Sequence, residues 1–360
     1  GTLANFANSS GATVTASTGT PALTLALGGN DIATGNNGIG IYAEDSTITV
    51  KSDTFTVETK DNGVGLWGMD NTTVANGTKG KTFQYNYNGA KDKNGFAMAF
   101  GGKRNGNTIA SNDMDIVFTN VGDKTTPEKV NLQTENSSTR KGTNKGIVGI
   151  LVNTNDKDDV VINRGKISED KSETSLRAYG ALVNKGTFIN YGDIKLANSL
   201  NPDYAKNVTT ADMDKVNVGI RANSTDGRIE NYADITIGTA DATKAESRTN
   251  IGSWAIYGYD IKTGKKDANN DSNIVINRNS YGIYSGDGNV DIADTNIKVG
   301  NDTVLGHVMF EGVRSDGTTT FAITRQPAGA NSITTPASAA PSPNGYADPN
   351  DLLSKLDTPR

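Results

Sequence analysis

General acid–base chemistry near neutral pH most often recruits histidine, and this chain has a single histidine, His307, beside Val308-Met309-Phe310. One imidazole with no second histidine to work with reads as a residue at a solvent edge rather than a base. Cysteine is absent, which removes thiolate nucleophiles, disulfides and sulfur-ligated metals. No Gly-Asp-Ser-Gly nucleophile motif, P-loop or His-Glu-x-x-His pattern is present. The stretch Asp287-Gly288-Asn289-Val290-Asp291 begins like a calcium loop, but Ile292 and Lys298 stand where an EF-hand needs glycine and glutamate. It reads as a solvated turn, as do Asn153-Thr154-Asn155-Asp156 and Asn269-Asn270-Asp271. Glycoside hydrolysis needs two carboxyls about 5–10 Å apart. The 40 acidic residues offer many pairs, yet few fall at outward positions of successive strand motifs.

Side chains suited to binding are easier to find. A small residue followed by an aliphatic recurs at Gly40-Ile41, Gly65-Leu66, Ala97-Met98, Gly149-Ile150, Gly180-Ala181, Gly219-Ile220, Ala255-Ile256, Gly282-Ile283 and Gly312-Val313. The residue after each aliphatic is Tyr42, Trp67, Ala99, Leu151, Leu182, Arg221, Tyr257, Tyr284 and Arg314. Strand alternation turns this column outward if the aliphatic faces in. Tyr42, Trp67, Tyr257 and Tyr284 are thereby candidates to stack against a sugar ring or a partner's side chain, or else form an outer ladder that shields the coil. The residue two before the aliphatic is mostly apolar, and the same alternation assigns Trp254 to the core. A second candidate is the segment carrying Lys124, Lys129, Arg140, Lys141 and Lys145, locally basic in an acidic protein, with a ligand-free surface loop as the alternative.

The elements that would position these residues follow from the repeat. Spacings of 25, 32, 52, 31, 39, 36, 27 and 30 residues separate the copies, so the unit is constant and its connections vary. Each copy leads into a second stretch, clearest where Val160-Val161-Ile162-Asn163-Arg164-Gly165-Lys166-Ile167 matches Thr187-Phe188-Ile189-Asn190-Tyr191-Gly192-Asp193-Ile194 and Arg228-Ile229-Glu230-Asn231-Tyr232-Ala233-Asp234-Ile235. Earlier copies have alternating segments such as Thr47-Ile48-Thr49-Val50 and Thr54-Phe55-Thr56-Val57. Alternation with β-branched residues, punctuated by Asn-Gly and Asp-Gly, predicts short half-buried strands and turns. Asn163, Asn190 and Asn231 either form a hydrogen-bonded amide ladder or serve as turn residues at positive φ. Insertions at 78–94, 120–145, 198–217 and 239–252 are expected to leave from one edge.

Length and composition agree with a stack of repeats. The chain has 360 residues with 41 Gly, 9 Pro and 34% hydrophobic residues, too apolar in its short runs for disorder and too polar for one thick core. A net charge of −5 with interspersed signs leaves no footprint for nucleic acid. No apolar run approaches the ~20 residues of a spanning helix, so direct membrane insertion is not expected. The fold class read from this pattern is all-β, a parallel β-helix of about nine to ten rungs over 1–324. At 325–360 the repeat stops, and Pro327, Pro336, Pro341, Pro343, Pro349 and Pro359 imply an extended segment, with a short helix expected at 348–356. The chain opens on Gly1-Thr2-Leu3 without the pattern of a secretory leader; a piece of a longer protein is the expectation.

Gly38-Ile39-Gly40-Ile41-Tyr42-Ala43 and Asn190-Tyr191-Gly192-Asp193-Ile194 resemble the passenger repeats of type V autotransporter adhesins, most closely the very large fusobacterial outer-membrane adhesins. The likeness covers roughly residues 20 to 324. It implies a right-handed three-sided β-helix, secreted through an outer-membrane barrel that this chain does not include, and displayed at the bacterial surface. The implied function is attachment without catalysis to host cells or other bacteria, through a protein or glycan receptor and with no cofactor. A β-helical polysaccharide lyase or hydrolase and a structural spacer of a surface stalk are the competing readings.

Overall fold

A computed structural model describes residues 13–16, 22–26, 32–50, 54–76, 82–89, 93–102, 108–119, 146–170, 173–174, 177–199, 217–238, 253–276, 281–285, 288–299 and 320–321. Among them every regular element is a strand, and the strands coil into a parallel β-helix with three faces.

The small–aliphatic copies form the first face: Ile39–Glu44, Val64–Met69, Asn94–Gly101, Gly146–Asn153, the first part of Arg177–Asn190, Val218–Ala222, Trp254–Gly258 and Tyr281–Ser285. Each pairs in parallel with the next, and the aliphatics fall in one register line: Ile41, Leu66, Met98, Ile150, Ala181, Ile220, Ile256 and Ile283. The ninth copy, Gly312-Val313, lies outside the described residues, as does the proline-rich segment with its expected helix. A turn leads to the second face, which includes Thr47–Val50, Thr73–Asn76, Ile109–Asn112, Val160–Asn163, Gly227–Asn231, Asp260–Thr263 and Val290–Ile292. The third face is a nine-stranded sheet running from Ile32–Ala33 to Thr295–Val299. Arg177–Asn190 passes from the first face to the second as one 14-residue strand, turning at Gly186 with φ 120°. In two earlier coils Asp45 and Asp70, at φ 50° and 54°, make that turn. At the N-terminal side Thr13–Ala16 lies antiparallel to Ala22–Ala26, unlike the rest of the coil.

The core is one continuous stack of Ile, Val, Leu, Phe, Met, Ala and Tyr from all three faces. Most strands are of six residues or fewer and bury little each, so the stability comes from stacking one coil on the next.

The small residue of the motif has a steric cause. Register pairing on the first face skips this position, and a Cβ placed on Gly180 would lie 2.5 Å from the Gly219 carbonyl oxygen and 2.9 Å from Ile194 Cγ2. The backbone bends here, the next coil's carbonyl comes close, and the opposing face fills the space. Gly180→Val should lower stability by about 1–3 kcal/mol or more through overpacking, read as a shift in the urea midpoint at unchanged slope. An unshifted midpoint would show that the column tolerates bulk.

Four asparagines settle the choice between ladder and turn. Asn112 donates to Asn163 Oδ1 at 2.9 Å, Asn163 to Asn190 at 2.8 Å and Asn190 to Asn231 at 2.8 Å. Each also donates to the carbonyl two residues on, at 2.8–2.9 Å. None of the four is among the positive-φ residues. Their amides close the turn between the second and third faces and tie each coil to its neighbour.

The expected clustering of insertions holds for three of the four segments. Residues 120–145, 198–217 and 239–252 all begin after a third-face strand and end at a first-face strand. Segment 78–94 is a correction: it contains the third-face strand Thr82–Tyr87, whose Phe83, Tyr85 and Tyr87 are buried. Its Gln, Asn and Lys content hid an ordinary strand. A two-residue parallel pairing of Glu173–Thr174 with Asn198–Ser199 decorates the same corner.

Candidate binding faces

The bend in the first face rearranges the predicted columns. The small residue and the aliphatic after it both face the core, so alternation breaks between them. The residue two before the aliphatic and the residue after it then share the outer side. Val148, Tyr179, Val218, Trp254 and Tyr257 form a second apolar cluster, with Phe96, Leu182 and Tyr284 against it. Trp254 is buried, but in this outer cluster; its assignment to the inward column is corrected. Counting a period of two through the bend put it on the wrong side.

Within the cluster the Tyr257 and Tyr284 rings stack with centroids 4.7 Å apart and planes within 2°. Trp254 meets both edge-on, at 5.5 and 5.1 Å. Arg221 donates from Nη1 to the Tyr179 hydroxyl at 2.6 Å, with its guanidinium 5.4 Å from that ring's centroid. Burial, then the neighbouring Tyr259 and Tyr284, pushes the Tyr257 hydroxyl up to about 12. Tyr257 is only 8% exposed, so this outward position is not a free surface ring. At the other end of the column Tyr42 is 45% exposed, and its hydroxyl donates to Glu44 Oε2 at 3.1 Å. Trp67, its register neighbour, is half-buried, with an indole Nε1 that has no hydrogen-bond partner. The predicted set therefore divides: Tyr42 and Trp67 together at one end, Tyr257 and Tyr284 packed at the other. Lys124, Lys129, Arg140, Lys141 and Lys145 lie outside the described residues, as do His307 and Arg314.

Outward carboxylates gather on the second face, where Glu230, Lys262 and Asp291 share one register column. Parallel strands lie about 4.8 Å apart, which places the Glu230 and Asp291 backbone positions roughly 10 Å apart with the Lys262 position between them. An inverting hydrolase needs that space for its water. Asp260, in the adjacent column, forms an ion pair with Lys157 and accepts the Asn289 N–H at 3.0 Å. Burial raises the Asp260 pKa, but Lys157 and the Asn289 N–H outweigh it and hold the carboxyl below its usual range. Among the described residues no group of three or more His, Cys, Asp or Glu is placed to hold a metal ion. Asp267 accepts from the Asn269 and Asn270 backbone at 2.8 and 3.0 Å, so this cluster is a capped turn.

One feature went unassigned in the sequence. Tyr191 and Tyr232 stack on the corner after the second face, with centroids 5.3 Å apart and planes at 19°. Both occupy the same place in the aligned Asn-Tyr-Gly-Asp-Ile and Asn-Tyr-Ala-Asp-Ile segments, which was the available signal.

Fold and surface together define a parallel β-solenoid with aromatic residues outside its core. No family model matches the chain, and neither the curated proteins nor the solved structures supply a match.

Proposed function

We propose that this chain is the adhesive passenger region of a bacterial surface protein, binding a receptor on host cells or other bacteria without catalysis. The observation that carries the reading is the outer side of the first face, where Tyr42 stands 45% exposed beside the half-buried Trp67 on a coil whose core does not need them. Exposed or half-buried aromatics on a rigid scaffold are efficient anchors for a partner, because two χ angles order a large contact area. The resemblance of the repeats to type V autotransporter adhesins supplies the location: outside the cell, held at the outer membrane by a barrel elsewhere in the parent protein. On the second face the Lys262 position separates Glu230 from Asp291, and the Tyr232 hydroxyl occupies Glu230 Oε2, which disfavours a hydrolytic pair.

Purified chain applied to glycan arrays, cultured host cells and bacterial cells should bind at least one of them. It should release neither reducing ends nor unsaturated uronates from polysaccharides. Depolymerase activity with no binding would overturn the proposal. Deleting 125–141 tests the basic segment separately: lost binding with an intact β-sheet circular dichroism spectrum assigns the ligand there, and unchanged binding removes it from the site.

A further inference from the structure

The aligned asparagines place Asp113, Arg164, Tyr191, Tyr232 and Gly264 in one line down the outer corner between the second and third faces, each one residue past a ladder position. Tyr191 is 49% exposed, one of four exposed large apolar or aromatic side chains among the described residues and the most exposed aromatic of them. Its ring is set rather than free, because it stacks on Tyr232. Tyr232 is fixed in turn: its hydroxyl donates to Glu230 Oε2 at 2.8 Å, and a Cβ on Gly264 would lie 2.8 Å from Tyr232 Cε1, so the ring leans over that glycine. Burial, then the Glu230 hydrogen bond, pushes the Tyr232 hydroxyl well above its ordinary range and keeps it a donor. The Tyr191 hydroxyl has no such commitment among the described residues.

The charges around this pair are mostly bound to one another. Arg164 Nη1 meets Asp113 Oδ1 at 2.9 Å, and Lys266 Nζ meets Asp193 at 2.8 Å and Asp234 at 2.6 Å. Burial lifts the Asp234 pKa, but Lys266 and Asn273 more than reverse it, so the carboxylate stays ionised. The corner therefore carries many hydrogen-bonding oxygens and nitrogens with little net field to attract an ion. A peptide adding as a strand would need an open backbone edge, and the strands on this corner are already paired on both sides.

We infer that the Tyr191–Tyr232 corner is a binding site for an uncharged pyranose, with one C–H face of the sugar on the Tyr191 ring and its hydroxyls exchanging hydrogen bonds with the surrounding carboxylates and Arg164. A pyranose has a flat apolar face of about a tyrosine ring's extent, and a rim of groups that both donate and accept. The ring quadrupole favours the slightly positive C–H bonds of such a face. The inference rests on the adhesive reading and deepens it by naming a neutral glycan as the ligand class and this corner as the place.

The test uses the full chain and saturation-transfer NMR with the methyl glycosides of glucose, galactose and N-acetylglucosamine, and with methyl glucuronide as the charged comparison. At least one neutral glycoside should receive saturation at the protons of one ring face. Tyr191→Ala should weaken that binding about tenfold or abolish it, Tyr191→Phe should retain it, and Ile109→Ala, at a side chain 58% exposed on the second face, should leave it unchanged. Because Tyr191 is exposed, its variants should keep the parent circular dichroism spectrum. Equal transfer in Tyr191→Ala, glucuronide binding as strong as the best neutral glycoside, or no transfer from any of the four would overturn the site. Cell attachment without saturation transfer would sink this site and leave the adhesive reading standing. Transfer without attachment to any cell would do the reverse.

Discussion

Asn190→Ala is expected to destabilise the coil by on the order of 4 kcal/mol, among the largest effects available from a residue that contributes nothing to the apolar stack. Its Nδ2 donates both to Asn231 Oδ1 at 2.8 Å and to the Gly192 carbonyl at 2.9 Å, while its Oδ1 accepts from Asn163 at 2.8 Å. Asn190 and its two partner asparagines, Asn163 and Asn231, are fully buried. Alanine leaves the Gly192 carbonyl, Asn231 Oδ1 and one Asn163 proton without partners, and each buried orphan costs about 1–3 kcal/mol. Urea unfolding followed by far-UV circular dichroism reads the loss, with Asn223→Ala as the exposed control, expected to change stability by less than about 0.5 kcal/mol. Because each coil contacts only its neighbours, amide exchange should accelerate first around Asn163 and Asn231. A loss below about 1 kcal/mol would mean that water replaces the amide and the ladder is dispensable.

Stability is also expected to fall as pH rises from about 4.5 to 8, and Glu169 is the cause. Register puts it in a core column with Val57, Tyr85 and Phe118 before it and Leu196, Ile237 and Ile276 after it. Oε2 accepts the Ala197 N–H at 2.8 Å, whereas Oε1 is buried with no hydrogen-bond partner. Burial pushes the carboxyl up to about 8, against the pull of the Ala197 N–H and with a further push from Asp170. A folded-state pKa raised above the unfolded one means that the native chain holds a proton the unfolded chain has lost. Between the two values the unfolded state binds fewer protons, so stability declines with pH, by up to about 1.4 kcal/mol per pH unit. It levels off on either side of that window. Glu169→Gln should remove this contribution to the slope, matching the parent near pH 4.5 and exceeding it near pH 8. Glu169→Leu should do the same and fill the column with an aliphatic. Urea midpoints measured across pH 4 to 9 decide the matter, and an unchanged slope in Glu169→Gln would refute the assignment.

The strands at Thr47–Val50 and Thr54–Thr59 were legible because Ile48, Val50, Phe55 and Val57 alternate with threonine, and the first-face columns were legible because the small residue recurs for a steric reason. The ladder's asparagines stood out through their repeated place before the turn, although Asn112 was missed because its neighbours Ser111 and Asp113 do not match the later copies. The strand Thr82–Tyr87 was hidden by polar residues on its outer side. Of the candidate site, the position of Tyr42 and Trp67 was readable, while the packing of Tyr257 and Tyr284 against Trp254 was not. Aromatic identity is visible along a chain, but the faces those rings cover belong to strands about 30 residues away.

By itself the sequence determined the local order of this protein: short strands, their turns, and an inward stripe that must be buried. Those depend on period-two patterning and turn chemistry within a few residues. The tertiary structure alone decided that alternation breaks at the small–aliphatic bend, which carries Trp254 outside the core, and that a glutamate completes an apolar column at Glu169. It likewise brought Tyr191 and Tyr232, 41 residues apart in sequence, into a stack. These outcomes depend on which coil lies on which, and that register is set by pairing between segments tens of residues apart.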